Sequence, residues 1–256
     1  MSGASTDRNP GPPQTVPTAP DSAQWGHARP EKRGQNKALK PPYRILGADK
    51  AVLPIEGTKT LMDGEHDHLD RYPDLAKWWR DAERLWDDNR SSGRLSLAER
   101  LDFRKGLTEQ LPGAPLRVVY GASGMYVTAA LVDDPNAIIE HKLYWGTVAN
   151  RQEGMYLLAV LNSPYTTEAV RPLMSYGKDE RDIDKAVWEL PIPDFDPADP
   201  KHARIAEIGE AEAQRIAELK FEDGKSYIQI RRTLRDFLFS SPDAEELDLM
   251  VTELLG

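Results

Sequence analysis

Residues 155–170 read MYLLAVLNSPYTTEAV, and the reading of this stretch decides between two folds. As a strand, the run would be buried on both faces and would hand the chain to a loop at Asn162-Ser163-Pro164-Tyr165. As a helix, Tyr156, Leu157, Val160 and Leu161 fall on one face. Asn162 or Ser163 is then a boundary or cap, and Pro164 sits in the first turn of a next helix, where its missing N–H is not needed. The spacing predicts helix, cap, helix. On this reading Asn162→Ala weakens folding through a lost cap, by about 1 kcal/mol.

The surroundings extend the pattern. After the junction, WELPIPDFDPADP carries Pro191, Pro193, Pro197 and Pro200, which deny it a helix and favour an extended connector packed by Trp188, Leu190, Ile192 and Phe195. Three helical pieces follow. Their apolar stripes are Ile205, Ile208, Ile216 and Leu219; then Tyr227, Ile230, Leu234 and Phe237; then Leu247, Met250, Val251 and Leu254, opened by Ser241-Pro242-Asp243. Before the junction, LRVVY and MYVTAALV read as two strands joined at Gly121-Ala122-Ser123-Gly124, with AIIEHKLYWGTV as a third. Further back, Ser96-Leu97-Ala98-Glu99 is a capping box that opens a helix to about Gln110. PDLAKWWRDAERLWDDNR puts Leu75, Trp78, Trp79, Leu85 and Trp86 on a core-facing helix, and YRILGADKAVLPIEG reads as one or two short strands. The fold class expected is α+β: a disordered Pro/Gly-rich segment over 1–40, an α+β domain over 41–200 and a helical region over 201–256.

With 256 residues the chain is long enough to bury a substantial core. No apolar run approaches the roughly 18 residues of a membrane span, and the N-terminus lacks the apolar core of a signal peptide, so a cytoplasmic protein is expected. The absence of cysteine excludes disulfides, thiolate metal sites and cysteine nucleophiles. Net charge is -9, with six basic against three acidic residues over 1–40, so the remainder is more acidic still. A chain so charged grips DNA only through a local basic surface or with a partner's help, since phosphate neutralisation supplies most non-specific affinity.

Four motifs carry possible chemistry. VVYGASGMYV has glycines after a strand, but a nucleotide or cofactor loop needs a helix next, and MYVTAALV alternates like a strand, so a hairpin turn is expected. GEHDHLDR places His66, His68 and Asp70 at metallo-hydrolase spacing, with Arg71 where a further histidine would stand; His141 and His202 would have to complete a zinc site, and a polar loop before a helix explains the same residues. SYGKDERDIDK offers Lys178, Arg181 and Lys185 to phosphates, but Asp179, Glu180, Asp182 and Asp184 lie between them, and a solvated, salt-bridged loop explains the stretch unless folding segregates the two signs. EHKLYWG supplies Lys142, Tyr144 and Trp145, a mixed basic and aromatic set, although Tyr and Trp on a strand commonly belong to a core.

Taken in order, Arg117-Val118-Val119-Tyr120, Ser123-Gly124, His141-Lys142-Leu143-Tyr144-Trp145, Tyr156-Leu157 with Val160-Leu161-Asn162-Ser163, Arg181-Asp182-Ile183-Asp184-Lys185 and Glu189-Leu190-Pro191-Ile192-Pro193 form a series. Together they resemble the C-terminal target-recognition region of large bacterial adenine-specific DNA methyltransferases, including fused restriction-modification enzymes. Leu-Asn-Ser followed by Leu-Pro-Ile-Pro also resembles the specificity modules of type I systems. The likeness spans roughly residues 72 to 256. In that family a separate catalytic domain binds S-adenosylmethionine and carries an Asn-Pro-Pro-Tyr loop that holds a flipped-out base. Asn162-Ser163-Pro164-Tyr165 differs from that loop by one residue but stands in a helix-cap-helix context, and no cofactor loop is found.

The resemblance therefore implies a non-catalytic reader of DNA, without a cofactor of its own, acting in bacterial defence beside a separately encoded methyltransferase that uses S-adenosylmethionine. DNA-contacting candidates are Lys142, Tyr144, Lys178, Arg181 and Lys185. An interaction or scaffold module that no longer touches DNA, or the remnant of a split methyltransferase gene, is the alternative.

Overall fold

A computed structural model describes residues 43, 53, 55, 61–91, 93–174, 182–183, 185–221 and 224–256. The disorder expected over 1–40, most of the strands expected over 43–57, and Lys178 and Arg181 lie outside the described residues. The fold is α+β, with seven α-helices and one three-stranded antiparallel sheet among the described residues. The chain divides into two compact units, Met1–Arg33 with Lys50–Glu109, and Gly34–Asp49 with Gln110–Gly256.

In the first unit a 3-10 turn, Asp67–Arg71, leads into α1, Pro73–Asn89, and a short α2, Leu97–Leu101. Leu69, Ala76, Trp79, Ala82 and Leu97 form the core, with Trp78 and Trp86 packed at its margin. Leu85 is exposed. Each residue turns an α-helix by about 100°, so Leu85 lies a full step round from Trp86 and off the buried stripe. The Ser96–Glu99 capping box forms as expected. The helix, however, stops at Leu101 instead of about Gln110. Asp102 is the cause, because its carboxylate accepts bonds from the Leu107 and Thr108 N–H groups (3.1 and 2.9 Å) and from the Thr108 hydroxyl (2.6 Å), pulling the chain into a turn.

The second unit is built round its sheet. Strands β1, Arg117–Gly121, β2, Ala129–Val132, and β3, Leu143–Thr147, are ordered β2-β1-β3 and antiparallel. They are followed by α3, Arg151–Asn162, α4, Pro164–Val170, α5, Pro200–Glu218, α6, Tyr227–Phe239, and α7, Ala244–Leu255. Met155, Leu158 and Leu161 of α3 join Val118, Tyr120 and Ala129 of the sheet and Leu234 of α6 in one core. Tyr156, Ala159 and Val160 join Ile205, Ile208, Leu247 and Val251 in another, made with α5 and α7. The expected single apolar face of α3 is thus too narrow a description; a helix apolar almost all round is one buried between two layers.

Strand lengths also differ from the sequence pattern. The segment expected to run from 137 to 148 pairs only over Leu143–Thr147, because side chains take its first backbone groups. Arg117 donates to the Asp134 and Ala137 carbonyls (2.8 and 2.9 Å), and the Gln110 amide exchanges bonds with the Ile139 backbone (2.8 and 3.2 Å). Similarly, β2 begins at Ala129, not Met125, since the Val127 N–H donates to the Thr167 hydroxyl at 3.1 Å instead of to a strand. The proline connector is anchored by the core: the Tyr156 hydroxyl donates to the Pro193 carbonyl (3.1 Å), and the Asp196 N–H donates to His202 Nδ1 (3.0 Å).

Two buried phenols have opposite fates. Tyr156 is hydrogen-bonded, and burial pushes its pKa up to about 12. Tyr43 packs in the sheet-side core with no partner for its hydroxyl among the described residues, and burial, then the Glu212 carboxylate, raises its pKa. Both native phenols hold their proton above the ordinary value of 10.0, so their contribution is complete below about pH 10 and is lost as pH rises past it. Tyr43→Phe is therefore expected to raise stability at pH 7 by about 1 kcal/mol, by removing an unsatisfied buried hydroxyl. It is also expected to reduce the fall in urea midpoint between pH 9 and pH 11. A loss of stability at pH 7 would show instead that the hydroxyl has a partner in solution.

Candidate nucleic-acid interface

The loop between β1 and β2 is the turn expected from its glycines, and it is held from several sides. The Ala122 N–H donates to the Lys142 carbonyl (3.0 Å), the Ala122 carbonyl accepts from the Ile183 N–H (2.9 Å), and Ser123 forms a β-bridge with Asp182. Gly124 turns the chain at a φ of 151°, a conformation that L side chains rarely adopt. Beyond it, the Tyr126 ring lies under the Arg235 guanidinium, 4.2 Å from ring centre to cation. Arg231 reaches the same turn, with Nη2 3.9 Å from where a Cβ on Gly124 would stand.

Arg231 and Arg235 thereby reach the loop from α6, and Lys142 and Ile183, two residues before Lys185, flank it along the backbone. Lys142 and Lys185 are exposed, as are Arg232 on α6 and, at the loop's tip, the apolar Met125. Among the described residues, no carboxylate pairs with the side chains of Lys142, Lys185 or Arg232, whereas Arg151, Lys201, Arg204 and Arg215 are all in ion pairs. Acidic groups stand close to the set as well: Asp182 bridges Ser123, and Asp236 lies 3.8 Å from Arg235. The arrangement can hold polyanionic backbone, with hydrogen-bond donors on a rigid turn.

The sequence candidates are distributed unevenly over this surface. The Lys142 carbonyl and the Ile183 N–H, two residues before Lys185, both bond Ala122, so the segments that carry the two lysines flank the same loop. Tyr144 is half-buried, its ring stacked on Tyr120 (centroids 5.5 Å apart, 21° between planes), and Tyr120 in turn meets the edge of Trp188 at 5.3 Å. The neighbouring Trp145 faces the other side of the sheet, 37% exposed, with the buried Arg117 guanidinium 5.9 Å from its ring centre. Burial lowers the Arg117 pKa. Sequence reasoning missed Arg231 and Arg235. Their signal was present in YIQIRRTLRDFLF, where the apolar stripe drew attention from the arginines beside it.

Three other constellations are held by bonds within the chain. His66 Nδ1 accepts from the His68 N–H (3.2 Å), and Asp70 pairs with Arg80 at 2.7 Å. Among the described residues no three His, Asp or Glu side chains are grouped to hold a metal ion. Basic residues lining a shallow groove on α1, Lys77, Arg80 and Arg84, are all paired with Asp81 or Asp70. At the Asn-Ser-Pro-Tyr junction, both ends of the Asn162 amide are bonded to Ala129 (2.9 and 3.1 Å). Ser163 caps α4 and donates to Asp248 (2.7 Å), which also accepts from the Tyr165 N–H (3.0 Å). No family model matches the chain, and comparison with curated proteins and with solved structures likewise found no match.

Proposed function

We propose that the protein is a non-catalytic DNA target-recognition subunit that works with a separately encoded, S-adenosylmethionine-dependent adenine methyltransferase. The observation that carries the reading is the approach of Arg231 and Arg235 from α6 to one hydrogen-bonded loop, whose Ala122 is bonded to Lys142 and to Ile183 two residues before Lys185, in a chain whose net charge is -9. The ordered motif series from Arg117 to Pro193 supplies the adenine-methylation context. Cations there would neutralise phosphates and set register, leaving sequence to be read by the few side chains that reach base edges.

The test is equilibrium binding of the purified full chain to duplex DNA across a salt series. Binding that weakens with salt is expected, and Lys142→Glu with Lys185→Glu should weaken it and reduce the slope of log affinity against log salt by about 2, near one unit for each phosphate no longer neutralised. Adding the protein to an adenine methyltransferase should then alter which sites are methylated. Absence of DNA binding at low salt, with no change in methylation, overturns the reading and favours a protein-interaction module.

A further inference from the structure

We propose that Met125 is a wedge that inserts between stacked base pairs of the bound duplex, an inference that rests on the DNA-recognition reading above. Met125 is 50% exposed, whereas Tyr126 beside it is half-buried, and Val127 and Thr128 are buried. An unbranched apolar side chain is thus presented at the tip of a loop that Arg231 and Arg235 reach from α6 and that Lys142 and the segment before Lys185 flank along the backbone. Solvated loops do not need such a residue, and a phosphate-binding loop gains nothing from it. A duplex whose backbone is held by those cations offers a methionine one apolar environment, the space between base planes.

Rigidity is the second requirement, since a side chain on a loose loop cannot separate stacked bases. The tip is fixed on both sides. Ala122 is bonded to Lys142 and Ile183, Tyr126 is clamped by Arg235 at 4.2 Å, and the Val127 N–H is held by Thr167 on α4 at 3.1 Å. Partial unstacking at the wedge lowers the work of extruding a nearby adenine, which a methyltransferase partner must do before transfer. A wedge also discriminates between sequences without a hydrogen bond, because pyrimidine–purine steps open more readily than others.

A wedge binds best where stacking is already weak. The full-length protein should therefore bind a duplex with a central mismatch about tenfold more tightly than the matched duplex, since unstacking a step is worth a few factors of ten in affinity at most. Met125→Ala should abolish this preference while keeping the salt dependence, and Met125→Leu should retain it. Circular dichroism and Tm should be unchanged for both variants, because the side chain is not in a core. Salt-dependent binding with no mismatch preference, or with the same preference in Met125→Ala, overturns the wedge and leaves the DNA-recognition reading standing. No binding by the wild-type chain to either duplex at low salt overturns the wedge, and overturns the DNA-recognition reading as well when the chain also leaves the methylation pattern of an adenine methyltransferase unchanged.

Discussion

Gly209→Ala is expected to destabilise the second unit by about 3 kcal/mol or more, seen as a fall in Tm of roughly 10 °C. A Cβ at this position on α5 would penetrate the carbonyl oxygen of Met155 on α3, and would lie 3.0 Å from the Met155 carbonyl carbon and 3.2 Å from Ala159 Cβ. The first two of these are backbone atoms, so no rotamer change relieves the clash. The two helices must move apart, and both cores that α3 supports would loosen with them. Gly154→Ala is the matched control on α3. Its Cβ would meet the Leu131 Cδ1 at 3.0 Å, a flexible side-chain end, and the crowding is offset by the better helix propensity of alanine, which is worth roughly 0.5–1 kcal/mol. A change within about 1 kcal/mol is expected there. Equal effects at the two positions, measured by urea unfolding, would show that α3 and α5 are not in backbone contact.

Helix starts were legible because their chemistry is local. Ser96 with Glu99 and Ser163 with Pro164 each place a cap and a first-turn residue within a few positions, and both helices begin there, whereas Pro200, read as part of the extended connector, opens α5 behind the Asp199 cap. Extents were less legible, because distant groups set them. Thr167 takes the Val127 N–H from across 40 positions and delays β2, while Asp102 folds its own neighbours into a turn and ends α2 early. The same difference runs through the candidate interface. Lys142 and Lys185 were readable as basic residues in mixed surroundings, but that their segments flank one loop depends on Ala122 bonding both Lys142 and Ile183. Strand alternation puts Tyr144 and Trp145 on opposite faces without saying which face is covered. The packing of Tyr144 on Tyr120 answers that, and no spacing in the sequence contains it.

Asn162→Ala is expected to cost about 3 kcal/mol, well beyond a lost helix cap, because Ser163 and not Asn162 caps the next helix. Asn162 instead acts as a fragment of strand. Its Oδ1 accepts from the Ala129 N–H at 2.9 Å, and its Nδ2 donates to the Ala129 and Leu158 carbonyls at 3.1 and 2.9 Å, so the side-chain amide pairs with one residue at the outer edge of β2. Ala129 is fully buried. Truncation leaves its N–H without a partner, which is the costly half of a broken hydrogen bond, whereas its carbonyl keeps the Tyr43 N–H at 2.8 Å. Asn162→Asp is the sharper probe. It retains the acceptor for the Ala129 N–H but turns a carboxylate toward two carbonyls, so it should be at least as damaging at pH 7. That variant should recover in part as pH falls and the carboxyl, its pKa raised by those carbonyls, regains a proton to donate. Ser163→Ala, the true cap change, should cost only about 1 kcal/mol. Urea unfolding ranks the three variants, and hydrogen exchange at the Ala129 amide reads the bond itself. Protection there in Asn162→Ala, with a loss no larger than that of Ser163→Ala, would return Asn162 to the role of a simple helix end.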